Sequence, residues 1–181
     1  MPMLENSGAQ VFMPRERDIQ WNESVVDNDT PENADEYRES GFWQTSSDTG
    51  FAIGTPPYGE GINPFKLGTY RYSESNTEAT SSIKWIPKIE EAGKYAIYIS
   101  YSASEENVSD AHYSVYHLGG KTDFLVNQQI GGSTWIYLGT FMLNAGFNQD
   151  NGRVELTNQS AESGKTVTAD GVRFGGGMGN I

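Results

Sequence analysis

From Gly68 onward the chain repeats one unit: a short run rich in β-branched and aromatic side chains, closed by a turn signal. The runs fall at about 68–73, 81–87, 94–102, 111–118, 122–128, 134–142, 152–158 and 166–174. Between them stand Glu91-Ala92-Gly93, Gly119-Gly120, Gly131-Gly132, Asn151-Gly152 and Ser163-Gly164. No amphipathic helical period interrupts the series. About eight strands at this spacing predict an all-β fold, two antiparallel sheets stacked as a β-sandwich or jelly roll. Alternation is clearest in Tyr95-Ile97-Ile99-Tyr101, which puts Ala96, Tyr98 and Ser100 on the opposite face. In Tyr113-Val115-His117 against Ser114-Tyr116-Leu118, apolar groups stand on both faces. The Asn151-Gly152 pair suits a type I′ hairpin turn, in which both central residues need positive φ.

Residues 1–66 read differently, as an acidic, loop-rich flank. They hold 12 acidic and 4 basic residues, against 12 and 8 in residues 67–181. Gln10-Val11-Phe12-Met13 looks like a strand stopped by Pro14. Thr30-Pro31 is a helix-start signal, enough for one turn within the acidic stretch 27–40. Glycines and prolines crowd residues 41–66, which predicts an irregular loop ordered only where its aromatics dock. Two readings of the flank follow. It packs across the sandwich as an extra strand with covering loops, anchored by Trp21, Phe42, Trp43 and Tyr58, or it is disordered without a missing partner domain. The expected division is therefore 1–66 flank, 67–176 sandwich and 177–181 linker.

The formal net charge of −12 repels phosphate backbones, so nucleic acid is not an expected partner. No apolar run approaches a membrane span, and no membrane insertion is expected. The chain has no cysteine, which removes disulfides, thiolate metal sites and a thiol nucleophile. The two histidines, His112 and His117, form no zinc motif, and no calcium-loop motif is present. No G-x-S-x-G elbow marks a serine nucleophile. Asp110, Asp123 and Asp170 are not paired by anything in the sequence. The expectation is a chain without catalytic residues, metal or cofactor.

Binding is better supplied. A sugar site on a β-sandwich sets aromatic faces against C–H surfaces, and places amides, carboxylates or arginine against hydroxyls. The candidates are Tyr113, Tyr116, His117, Gln128, Gln129, Trp135, Asp170 and Arg173. Each also has a structural reading. Trp135 is either a platform or a core residue. His117 serves as a partly buried structural histidine. Gln128 and Gln129 close the loop before Gly131-Gly132, and Asp170 and Arg173 form an internal ion pair.

Six blocks in order over about 90 residues resemble the golvesin/xanthan-lyase carbohydrate-binding-like domain. They are Ile83-Lys84-Trp85-Ile86-Pro87, then Ala92-Gly93-Lys94-Tyr95, then Ala111 to His117 with Gly119-Gly120. Val126-Asn127-Gln128-Gln129 with Gly131-Gly132 follows, then Trp135 with Leu138-Gly139-Thr140 and Ala145-Gly146, and last Thr168-Ala169-Asp170-Gly171-Val172-Arg173-Phe174. Gly171 departs from the resemblance, where a small residue with a Cβ, commonly alanine, is usual, and this predicts a looser last strand. The resemblance implies a jelly-roll, galactose-binding-like sandwich, non-catalytic and attached to a secreted bacterial enzyme acting on polysaccharide or cell wall. A second, shorter resemblance joins Met3 to Phe12 and Arg15-Glu16-Arg17-Asp18 to a segment of N-acetylmuramoyl-L-alanine amidase domains. It implies that the flank is a remnant of such a catalytic domain and, lacking that family's His and Glu zinc motifs, inert as an amidase. The parent is then an amidase or a xanthan lyase. The expected function is a carbohydrate-binding-like accessory module, secreted, periplasmic or cell-surface, with a glycan and a neighbouring catalytic domain as partners. The alternative is a structural spacer or protein-interaction domain that positions that neighbour.

Overall fold

A computed structural model of the protein describes residues 22–29, 35–51 and 68–176. These residues form 14 strands and no helix: β1 (Glu23–Asp27), β2 (Tyr37–Ser40), β3 (Gln44–Thr45), β4 (Arg71–Glu74), β5 (Ser82–Trp85), β6 (Lys88–Ile89), β7 (Gly93–Ile99), β8 (Ala111–His117), β9 (Gly120–Val126), β10 (Ile136–Leu143), β11 (Gly146–Phe147), β12 (Arg153–Thr157), β13 (Thr166–Ala169) and β14 (Gly171–Gly175). All the ladders between them are antiparallel. One main sheet has the order β1-β14-β7-β10, the other β2-β5-β12-β8-β9. A three-stranded sheet, β13-β4-β3, and the short pair β11-β6 complete the body.

The period-two pattern builds the core between the sheets. Tyr95, Ile97 and Ile99 of β7 join Val172 and Phe174 of β14 and Val26 of β1 on one side. Ile83 and Trp85 of β5, Val154 and Leu156 of β12, and Ala111, Tyr113 and Val115 of β8 meet them from the other. In β8 this resolves the two-faced pattern: Ala111, Tyr113 and Val115 are buried, while His112, Ser114 and Tyr116 alternate outward, only partly covered. Trp85 and Tyr113 stack at 6.4 Å between centroids, and Tyr37 packs edge-on against Trp85. Ala96 and Tyr98, expected on an outer face, are buried as well. Central strands covered on both sides lose the polar half of the alternation.

Each of the eight expected runs contains a strand, and the last divides at Asp170 into β13 and β14. Five strands lie outside those runs: β1, β2, β3, β6 and β11. Three of them come from the flank, so its described portions follow the packing alternative. β1 adds to the edge of β14 with Glu23 opposite Gly175 and Asp27 opposite Gly171. The Gly176 N–H donates to the Asn22 carbonyl at 3.2 Å, closing that end. Tyr37–Ser40, at the end of the acidic stretch, is strand β2, paired with β5; the helical turn expected after Thr30-Pro31 falls on residues outside the described ones. Trp43 is buried as anticipated, whereas Phe42 is 68% exposed. Trp21, Tyr58, residues 10–13 and the 177–181 linker lie outside the described residues, as does the amidase-like stretch 3–18.

Arg71 holds the flank's strands to β4. Its guanidinium meets Glu39 of β2 through Nε at 2.6 Å and Nη2 at 2.8 Å, a two-pronged pair. It also donates to Thr45 Oγ1 and to the Trp43 carbonyl. The Asn151-Gly152 signal does not make a hairpin. It precedes β12, whose partners are β5 and β8, and neither residue has the positive φ that a type I′ turn requires. The tight hairpin is instead β8–β9, with His117 opposite Gly120 at φ 118°.

Candidate functional site

The expected site residues do not converge on one surface. Tyr113 is fully buried, and burial pushes its phenol above the usual tyrosine range. Gln128 is equally buried and fully engaged. Its Nε2 donates to the Thr168 carbonyl at 2.7 Å and to Tyr113 Oη at 3.3 Å, while its Oε1 accepts from the Thr168 N–H at 2.9 Å. A polar side chain without solvent keeps its place only with all partners met, and this amide acts as a clamp between β13 and the core. Gln129 is half-buried and donates to the Asn107 carbonyl at 3.0 Å. Contrary to the structural reading, neither amide closes its own loop before Gly131-Gly132: Gln128 reaches β13 and Gln129 the loop at Asn107.

Asp170 and Arg173 do not pair with each other. Arg173, buried, forms an ion pair through Nε with Glu23 of β1 at 2.7 Å and donates to the Gly176 carbonyl. Asp170 accepts from the Phe51 N–H at 2.6 Å and faces a second buried carboxyl, Asp27. Their burial is the largest influence and raises both above the usual carboxylate range. The ionised form of Asp170 raises Asp27 further, so Asp27 keeps the proton and donates it to Asp170. Asp27 Oδ1 accepts from the Asp29 N–H at 2.8 Å. Gly171 belongs to this arrangement: a Cβ there would stand 2.9 Å from Asp27 Oδ2. The departure from alanine therefore makes room for the carboxyl rather than loosening the strand. Among the described residues no group of three or more His, Cys, Asp or Glu is disposed to hold a metal ion.

Tyr116, His117 and Trp135 are half-buried and separate. The Arg153 guanidinium lies 3.5 Å above the Tyr116 ring and pairs with Glu155, which occupies one face of the ring. His117 accepts at Nδ1 from the Gly119 N–H, so Nε2 donates to Thr122 Oγ1 at 2.9 Å. Its ring packs against Phe141. Trp135 meets Phe51 edge-on at 5.4 Å.

Concave polar surface lies elsewhere, on the outer face of the β13-β4-β3 sheet. Alternation in Thr166-Val167-Thr168-Ala169 sends Val167 and Ala169 into the core and leaves the two threonines on the other face. Thr168 stands opposite Tyr72 of β4, and Tyr72 opposite Gln44 of β3. Thr168 and Tyr72, with Tyr70 and Ser46, whose N–H donates to the Tyr70 carbonyl, floor a cleft of about 300 Å³. The far wall is the loop carrying Ser102, Ser104, Glu106 and Asn107. That loop is held along its length. Thr166 N–H donates to Glu106 O, Val108 N–H to Thr166 O, and Gln128 N–H to Val108 O. Asn107 Nδ2 donates to the carbonyls of Ser102 and Gln128. The floor and one wall are thus fixed by Gln128 and Asn107 before any ligand arrives, the condition for binding without a large ordering penalty. Sequence reasoning took 68–73 as a strand but passed over its surface. The signal was an aromatic pair two residues apart, Tyr70 and Tyr72, facing a Thr-x-Thr strand.

Two stacked antiparallel sheets around a buried aromatic core make the fold a β-sandwich. The golvesin C-terminal domain family profile matches residues 24–176, and the chain belongs to that family. It is 28% identical over 136 residues to a xanthan lyase of Bacillus sp. (strain GL1), a match covering 75% of this chain and 13% of that protein. The structure resembles that of a Paenibacillus xanthan lyase with a TM-score of 0.64 at 25% identity, over 84% of this chain and 13% of that one. It also resembles a family 35 carbohydrate-binding module from Clostridium thermocellum, with a TM-score of 0.51 at 17% identity, over 83% and 97% of the two chains. That last likeness concerns the fold. The chain spans only about an eighth of the xanthan lyases it matches.

Proposed function

We propose that this chain is a non-catalytic carbohydrate-binding accessory module of an exported bacterial protein active on polysaccharide or cell wall. The observation that carries the reading is the cleft above β13 and β4. Two half-buried tyrosines, Tyr70 and Tyr72, offer ring faces to a sugar's C–H surface. Serine and threonine hydroxyls surround them, groups that both donate and accept as sugar hydroxyls do. Gln128 and Gln129 contribute by fixing the wall rather than by touching the ligand. The test is calorimetric titration of the domain with soluble oligosaccharides, backed by pull-down on insoluble polysaccharide. Tyr72→Ala is expected to weaken binding at least about tenfold, the equivalent of roughly 1.4 kcal/mol, with an unchanged circular dichroism spectrum. A folded domain that binds nothing in a panel of neutral, amino and acidic polysaccharides would sink the reading.

One observation favours a second role, positioning of a neighbouring amidase or lyase domain of the same longer chain. The free edges of β9 and β10 flank an apolar groove of about 560 Å³, with Leu125 and Ile130 each 67% exposed. Exposed apolar surface of this kind suits a protein neighbour better than water. Leu125→Ser and Ile130→Ser in the full-length parent are expected to loosen the contact, read as faster proteolytic separation of the two domains. Unchanged proteolysis would discard it.

A further inference from the structure

The cleft has a charge character that narrows its ligand, and the point rests on the glycan-binding reading above. Every polar side chain lining it among the described residues is neutral except one. Hydroxyls come from Ser46, Ser47, Ser102, Ser104, Thr166 and Thr168, and the sole ionised group is Glu106 on the loop wall. Among the described residues no lysine, arginine or histidine lines it. The nearest basic residues along the chain are committed elsewhere. Arg71 is locked onto Glu39, and Lys165 pairs with Glu162 at 2.9 Å. Glu106 itself takes part in none of the described ion pairs, and its side chain is exposed at the rim. Its backbone is pinned, with its carbonyl accepting from Thr166 and its N–H donating to Ser104 Oγ. The carboxylate therefore cannot leave the site with its loop.

We propose that this cleft selects glycans whose bound sugar is neutral or carries a free amine, and rejects sugars bearing a carboxylate. A carboxylate accepts hydrogen bonds and donates none, so Glu106 suits a pair of adjacent sugar hydroxyls or an ammonium group. A uronic acid brought into the same space meets like charge with no cation in the lining to offset it. The protein's net charge of −12 adds a repulsive field during approach. An exported module built for acidic polysaccharide would place an arginine or lysine where Glu106 stands.

The experiment uses matched short oligosaccharides of one linkage, with neutral hexose, hexosamine and hexuronic acid at the terminal position. Each is titrated into the whole chain and into Glu106→Gln, Glu106→Lys and Tyr72→Ala, all checked for native fold by circular dichroism. For the wild type the neutral or amino form is expected to bind at least about tenfold more tightly than the uronate at low salt, a gap that narrows as salt rises. Glu106→Lys is expected to close or reverse that gap and to remove any preference for the amine. Tyr72→Ala is expected to weaken all forms alike. Uronate binding equal to or tighter than the neutral form in the wild type overturns the selectivity while leaving glycan binding intact. So does a ratio that Glu106→Gln and Glu106→Lys leave unmoved. Binding to none of the three fails the underlying reading, and the selectivity with it.

Discussion

Two carboxyl groups share the space between β1, β13 and β14, and their proton makes a sharp forecast about stability. Asp27 and Asp170 are both almost wholly shielded from water. Burial is the main cause of their raised pKa values, and for Asp27 the adjacent Asp170 charge is the next. In the unfolded chain both ionise near the ordinary aspartate value of about 3.9. A group whose pKa is higher folded than unfolded stabilises the native state fully below the unfolded value and loses that contribution as pH rises through the folded value. Between its unfolded and folded values each of the two groups holds a proton in the native state that the unfolded chain has released. For one such proton the slope is about −1.4 kcal/mol per pH unit. Raising the pH from 5 to 7 should then remove about 2.7 kcal/mol through Asp27 alone, a large share of a typical domain's 5–15 kcal/mol, with Asp170 adding to the loss until pH reaches its folded value of about 7. Asp27→Asn supplies a permanent donor to Asp170 and keeps an oxygen for the Asp29 N–H. Its stability should fall more gently than the wild type's over the same interval, because only Asp170 remains to release a proton, and should exceed the wild type's at pH 7 and above. Urea titrations at half-unit steps in divalent-free buffer, followed by tryptophan fluorescence, give both curves. A wild-type stability that is level or rising from pH 5 to 7, or parallel slopes for the two proteins, would refute the shared-proton account.

The remaining forecasts concern the scaffold. Gln128→Ala leaves the Thr168 N–H and carbonyl and the Tyr113 hydroxyl without their interior partner, and opens a void beside them. Urea unfolding should show a loss of about 3–5 kcal/mol, with Gln128→Glu also destabilised at neutral pH because its added charge is buried. Gly171→Ala should gain about 0.4–1 kcal/mol through the unfolded chain but lose more by crowding Asp27, for a net loss of about 1 kcal/mol. In Gly171→Ala/Asp27→Gly, where that crowding is gone, the alanine should no longer destabilise, which a double-mutant comparison of melting temperatures checks. Burial works to raise the Glu39 pKa, yet the Arg71 hydrogen bonds and charge override it and hold it below the ordinary glutamate value. That pair's contribution is present above the unfolded glutamate pKa and is lost as pH falls through the lower folded one. Arg71→Met should therefore move the acid-unfolding midpoint to higher pH, as read by circular dichroism.

The sandwich was legible because its strands obey a simple rule. One face of β7, β8 and β12 is apolar, and the turns between runs carry glycine, so spacing alone located eight strands. What spacing does not reveal is pairing at a distance. Glu23–Asp27 and Tyr37–Ser40 are short and polar by composition, and become strands because β14 and β5 offer them open edges. The same limit governs the site. Trp135, Tyr116 and Gln128 are the residues that sugar chemistry would select by type, but side-chain type does not say which surface is concave. Tyr113 and Gln128 belong to one buried contact, and Asp170 finds its partner 143 residues earlier in Asp27. Tyr70 and Tyr72 gain their setting from Thr166, Thr168 and the loop at 102–107, elements far apart in sequence and joined only by the fold.

The side-by-side entry and exit of the domain bear on how it transmits force. Asn22 and Gly176 leave from the same end of the β1–β14 ladder. A pull on the two ends peels that ladder open one rung at a time instead of shearing all rungs together. The ladder thus offers low mechanical resistance when stretched between Asn22 and Gly176.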